Sequence, residues 1–144
     1  MWLDPADART YQNLAEYMSR KLPTAYEVPS IAYALRKIGQ FNRIKLRQAL
    51  RWGQQPTVVV RNLVGAYGEF TPNIGSNEIR VNRMTVQEFE NGGGIRTARN
   101  GNVYLIGVTL IHELVHWCDD QDRIDRPGEE GEEFENLVYG RVIN

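Results

Sequence analysis

VYLIGVTLIHELVHWC, residues 103–118, decides the fold. The apolar run is too long for a typical strand, which predicts a buried helix through the core. Near its end, His112, Glu113, Leu114, Val115 and His116 form an H-E-x-x-H pentapeptide, and these are the only two histidines in the chain. On a helix, residues four apart lie one turn apart on one face. Two neutral imidazole nitrogens then reach one zinc ion at about 2.0–2.1 Å. Glu113 projects beside that face, where it can take a proton from a zinc-activated water and pass it to a leaving amine. The motif is specific, and it points to a zinc hydrolase. The bland alternative is two ordinary helix histidines, one packed in the core. Two histidines and a glutamate buried in an apolar helix are costly without a partner, and a metal supplies one.

A catalytic zinc site needs three protein ligands and an open position. No third histidine exists, so the extended metzincin pattern is excluded. Cys118 lies two residues past His116 on another face of the helix and reads as a small buried hydrophobe. A downstream carboxylate remains. Pro127 and Gly128 break the chain, and a second helix is predicted from about 129–131 to about Arg141. Phe134, Leu137, Val138 and Tyr139 mark its buried face. Glu135 lies within that face, which makes it the favoured zinc ligand, ahead of Glu132 and Glu133. Glu129 and Glu130 are assigned to a solvated charge run. Tyr139 is a candidate oxyanion stabiliser, with core packing as its alternative. Asp119 or Asp120 could orient a metal-binding histidine, or simply end the helix at the surface.

Thr109 to Trp117, the acidic segment at 119–122, and the stretch GEEFENLVYG at 131–140 together resemble the metallopeptidase toxin domains of bacterial polymorphic toxins and type VI secretion effectors. The likeness is close over 103–141 and loose before it. It implies an α+β, zincin-like fold: N-terminal helices, a small sheet, the H-E-x-x-H helix and a C-terminal ligand helix. It implies a secreted peptidase toxin and a cognate immunity protein. The tail is also similar to the aspzincins, in which an Asp four residues after a Gly, before a Tyr-Gly pair, is the third ligand. Here Glu135 stands four residues after Gly131, with Glu for Asp and one extra residue before Tyr139.

The rest of the chain fits one catalytic domain over residues 1–144. That length suffices for a real core, and a hydrophobic content of 42% is in the globular range. A net charge of −1 implies no polyelectrolyte partner, and no nucleic-acid recognition motif is present. One cysteine excludes an internal disulfide framework. The first residues, MWLDP, lack the regions of a Sec signal, so delivery is expected by another route or within a larger parent chain. The apolar run at 103–118 is too short to span a bilayer. Between Val28 and Gly68 there is no Asp or Glu, but Arg36, Lys37, Arg43, Lys45, Arg47, Arg51 and Arg61 are present. This is either a solvated face or a docking surface for an acidic partner such as an immunity protein.

Spacing predicts helices over 5–22, 30–38, 41–52 and 84–91, and strands over 57–63 and 77–82. Pro23 is expected to end the first helix and Ser30 to cap the second. The glycine-rich stretch 92–101 reads as a flexible loop, either a linker or a lid. Strand 77–82, nearest the site helix in sequence, is the expected cleft edge, where a peptide could add by main-chain hydrogen bonds. Three function classes follow. The favoured one is a peptide-bond hydrolase acting on proteins. A hydrolase of cell-wall peptides is the alternative. An inactive zincin serving as a binding module is opposed by the intact His112, Glu113 and His116.

Overall fold

The computed structural model describes residues 1–39, 42–74, 76–122 and 128–143. The helix expected over 41–52 and the acidic segment after Cys118 therefore lie partly outside the described residues. The N-terminal part is helical but not one helix. Strand β1 (Trp2–Leu3) leads into α1 (Pro5–Thr10), where Asp4 caps the amides of Ala6 and Asp7 and Pro5 occupies the first turn. The backbone breaks at Tyr11 before α2 (Gln12–Glu16), which widens into a π-turn at Tyr17–Lys21 and then tightens into a 3-10 turn at Leu22–Glu27. Pro23 sits at the start of that last turn rather than ending an α-helix, because its missing N–H is harmless there. Helix α3 (Pro29–Ile38) begins on Pro29 with Val28 as its cap residue, not Ser30. Helix α4 (Arg43–Leu50) is capped by Asn42.

Four strands form the main sheet in the order β1-β2-β4-β3, with β2 at Thr57–Arg61, β3 at Gly68–Phe70 and β4 at Glu78–Asn82. The first three strands in that order run parallel; β3 runs antiparallel to β4. This corrects the expected edge. The strand at 77–82 is internal, paired on both sides, and its alternating Ile79 and Val81 are buried against the core. The edge facing the site is β3, only three residues long. The expected loop at 92–101 is also corrected. After α5 (Arg83–Glu90), an antiparallel hairpin of β5 (Ile95–Ala98) and β6 (Gly101–Tyr104) occupies it, and Val103 and Tyr104 belong to that hairpin.

Helix α6 (Leu105–Asp122) runs through the middle of the molecule. Leu105, Ile106, Val108, Leu110, Ile111, Leu114, Val115 and Cys118 are all buried. A helix apolar nearly all round must be covered on several sides. The sheet edge, α5 and α7 (Glu130–Tyr139) cover it. Each fully buried Leu, Ile or Val contributes about 1.5–3 kcal/mol, enough together to hold the polar residues of the same helix in a poorly solvated place. Helix α7 stops at Gly140, whose φ of 80° is the left-handed conformation glycine adopts without strain. The arrangement is α+β and zincin-like, as the sequence predicts.

Candidate metal and catalytic centre

His112 and His116 stand one turn apart on α6, with ring centres 5.0 Å apart. Their Nε2 atoms face each other at 3.2 Å. Both rings are held from behind by carboxylates of α7. Glu135 Oε1 lies 2.6 Å from His112 Nδ1, and Glu130 Oε2 lies 3.5 Å from His116 Nδ1. A carboxylate on Nδ1 selects the Nδ1–H tautomer and leaves the Nε2 lone pair pointing outward. With both rings in that tautomer the two Nε2 atoms offer lone pairs to a common point, where a shared cation is accommodated. Two ligands about 2.0–2.1 Å from one tetrahedral ion are separated by about 3.3 Å, close to the spacing observed. The donor set therefore fits a metal.

A third donor is at hand. Among the described residues, His112, His116 and Glu129 form the group whose ligand atoms all lie within 4.8 Å of one another. Glu129 is the cap residue of α7, and its Oε2 is 3.7 Å from His116 Nε2. Glu135 is the inward-facing glutamate, with 0% exposure, but it meets His112 on the nitrogen away from His116. Its second oxygen accepts the Ile143 N–H in a short contact. Glu132 and Glu133 are exposed. The carboxylates on the two Nδ1 atoms thus come from α7, and Asp119 and Asp120 line the cleft.

Burial dominates the electrostatics. It lowers the basicity of both histidines. At His112 the hydrogen bond to Glu135 and the nearby Glu113 charge outweigh it, so that pKa rises. At His116 burial and the neighbouring His112 prevail, and the pKa falls. Glu113 is 4% exposed, and burial pushes its carboxyl up to about 7, despite the opposing pull of His112 and a hydrogen bond from the Phe70 backbone. A carboxyl poised near neutrality both accepts and returns a proton efficiently.

Strand β3 holds Glu113 in place. A Cβ at Gly68 would come within 2.6 Å of Thr109 Cγ2 and 2.8 Å of Glu113 Cγ and Oε1, so only glycine lets the strand lie this close to α6. Gly68→Ala is expected to lower turnover at least tenfold while leaving metal content unchanged, because the clash falls on Thr109 and Glu113 and not on the histidines. Steady-state kinetics beside elemental analysis checks this; unchanged turnover would show that the strand gives way freely.

A cleft of about 950 Å³ opens over this group, with Phe70, Pro72, Glu113, His116 and Glu129 in its walls. Tyr139 is elsewhere. It is buried against Phe134, with ring centres 6.0 Å apart, and burial raises its hydroxyl pKa, with Tyr17 and Glu135 adding to the effect. It is not among the cleft-lining residues, so the packing alternative describes its surroundings. Sequence reasoning did not single out Gly68 or Phe70, and it left Glu129 and Glu130 in the solvated run. Their position directly after Pro127 and Gly128, where the sequence starts a new helix close to the H-E-x-x-H helix, was the available signal.

Two facing histidines and a glutamate on a central helix, beside a short antiparallel edge strand, match the arrangement of a metallopeptidase centre. The sequence pattern of the metallopeptidase toxin 3 family matches residues 7–140, and the chain belongs to that family. No curated protein and no solved structure matches it.

Proposed function

We propose that the chain is a zinc metallopeptidase that cleaves peptide bonds in proteins of a target cell, acting as the toxic domain of a delivered bacterial effector. The observation that carries this reading is the facing pair of Nε2 atoms with the buried Glu113 carboxyl beside them. His112, His116 and Glu129 are the proposed ligands. When bound, zinc polarises the scissile carbonyl and acidifies water. Glu113 takes the proton of the attacking water and returns it to the departing amine. Glu135 and Glu130 hold the two rings. The outer edge of β3 offers main-chain groups to an extended substrate, which would lie antiparallel across the cleft. Tyr139 has no part in this scheme.

Membership of a toxin family supports a protein substrate and delivery into target cells. No helix among the described residues is long and apolar enough to cross a membrane. An immunity protein is the proposed partner. Arg36, Lys37, Lys45 and Arg47 are exposed on α3 and α4, beside the exposed Tyr33 and Ile44, a surface suited to an acidic protein.

Purified protein should bind one zinc per chain and degrade casein, and a strong chelator should stop the cleavage until zinc is restored. Cleavage of sacculi with casein left intact would move the substrate to cell-wall peptides. Expression sent separately to the cytoplasm and periplasm of a bacterium should be toxic in at least one compartment, with Glu113→Gln harmless in the same place. Equal growth in all arms would remove the toxin reading.

A further inference from the structure

Gly131 lies on the ring of His112. A Cβ at this position would overlap the Nε2, Cε1 and Cδ2 atoms of the imidazole. No side chain fits between the helix and the ring. The residue is in the first turn of α7, next to Glu130 and two positions after Glu129. Glu130 is itself buried, at 7% exposure, unlike its neighbours Glu129, Glu132 and Glu133. A glutamate is seldom buried without a partner, and the Nδ1 of His116 is 3.5 Å from its Oε2. One turn of α7 therefore touches both histidines, by backbone contact at His112 and by a carboxylate at His116.

We propose that Gly131 and Glu130 are positioning residues of the metal centre. Gly131 lets α7 lie flat on the His112 imidazole, which brings Glu129 to the two Nε2 atoms. Glu130 takes the Nδ1–H of His116 and fixes its tautomer and tilt, as Glu135 does for His112. Neither residue contacts substrate or metal. The proposal rests on the reading of His112, His116 and Glu129 as the ligand set.

The test uses the whole chain and zinc alone. Zinc affinity is measured by competition with a chromophoric chelator for wild type, Gly131→Ala, Glu130→Ala and Glu130→Gln, with Glu132→Ala and Glu133→Ala as exposed controls on the same helix. Gly131→Ala and Glu130→Ala should each weaken zinc about 10–100-fold, and the controls should not. Glu130→Gln should recover most of the loss, because an amide oxygen still accepts the Nδ1–H. Ring nitrogen NMR of the metal-free protein adds a readout that a general loss of stability does not imitate, since the chain has only two histidines. Glu130→Ala should move the His116 resonances and spare those of His112; Gly131→Ala should move those of His112. If His112→Ala and Glu129→Ala lose zinc while Gly131→Ala and Glu130→Ala keep wild-type affinity and wild-type ring spectra, the positioning proposal is overturned and the ligand reading stands. If wild type takes up no zinc, both fall. Should Gly131→Ala fail to fold, the Glu130 variants decide.

Discussion

Glu113→Gln is expected to cut peptide hydrolysis by about 10²–10⁴-fold and to leave zinc content at the wild-type level. The amide keeps the size of the side chain but cannot take a proton from water. Zinc should stay because both Nε2 atoms and Glu129 are untouched. The same change has an expected signature in stability. Burial raises the Glu113 carboxyl from an ordinary 4.5 to about 7. A carboxyl raised on folding favours the folded state only in its protonated form. The penalty for holding it as an anion therefore appears as pH rises from 4.5, and it is complete above 7. Glutamine carries no such penalty. At pH 8 the metal-free Glu113→Gln protein should be more stable than wild type by on the order of 2–3 kcal/mol, and the advantage should fade towards pH 4.5. Urea denaturation across that range measures it. An inactive variant whose stability tracks wild type at every pH would show that Glu113 is better solvated than its burial implies. Full activity would remove it from the chemistry altogether.

What could be read from the sequence was local. The H-E-x-x-H spacing places three side chains without reference to any other element, and the apolar run around them demands a buried helix. Both features hold in α6, where every aliphatic residue from Leu105 to Val115 is buried. Strand β2 and strand β4 were legible from β-branched and alternating residues. Strand β3 was not, because Gly-Glu-Phe carries no period and its pairing depends on β4, ten residues further on. The β5–β6 hairpin was hidden for a similar reason. Its glycines read as a loop, and of the three positive-φ positions Gly92 and Gly94 precede β5 while Gly101 opens β6. The first helix looked continuous because its apolar spacing is helical, yet the backbone changes winding twice between Tyr11 and Glu27. Winding of that kind is set by packing, not by period.

The proposed third ligand shows where one-dimensional reasoning about a face stops. Burial singled out Glu135 among five glutamates, and Glu135 is the fully buried one of the set. But α7 passes the His112 ring so that different turns meet its two nitrogens. Glu135 is at the turn behind His112, and Glu129 is at the turn in front of it. Which nitrogen a carboxylate meets depends on the crossing, and no spacing in the chain encodes that.

This difference leads to opposite expectations for the two glutamates. The Glu129 side chain is 67% exposed, so Glu129→Ala should leave the metal-free protein as stable as wild type. Its zinc affinity should nevertheless fall by several orders of magnitude, because a ligand is gone. Glu135→Ala should act the other way. It empties a fully buried site and strips the acceptor from both His112 Nδ1 and the Ile143 amide, a loss of about 3–5 kcal/mol for a buried pair broken on one side. Glu135→Gln keeps the volume and one acceptor, so it should fold and bind zinc about 10–100-fold more weakly than wild type. Thermal melts of the metal-free proteins and chelator competition on the folded ones separate these effects. Should Glu135→Gln abolish zinc binding while Glu129→Ala retains it, the two roles exchange: Glu135 becomes the ligand, and α7 must turn on loading to bring it round the ring of His112.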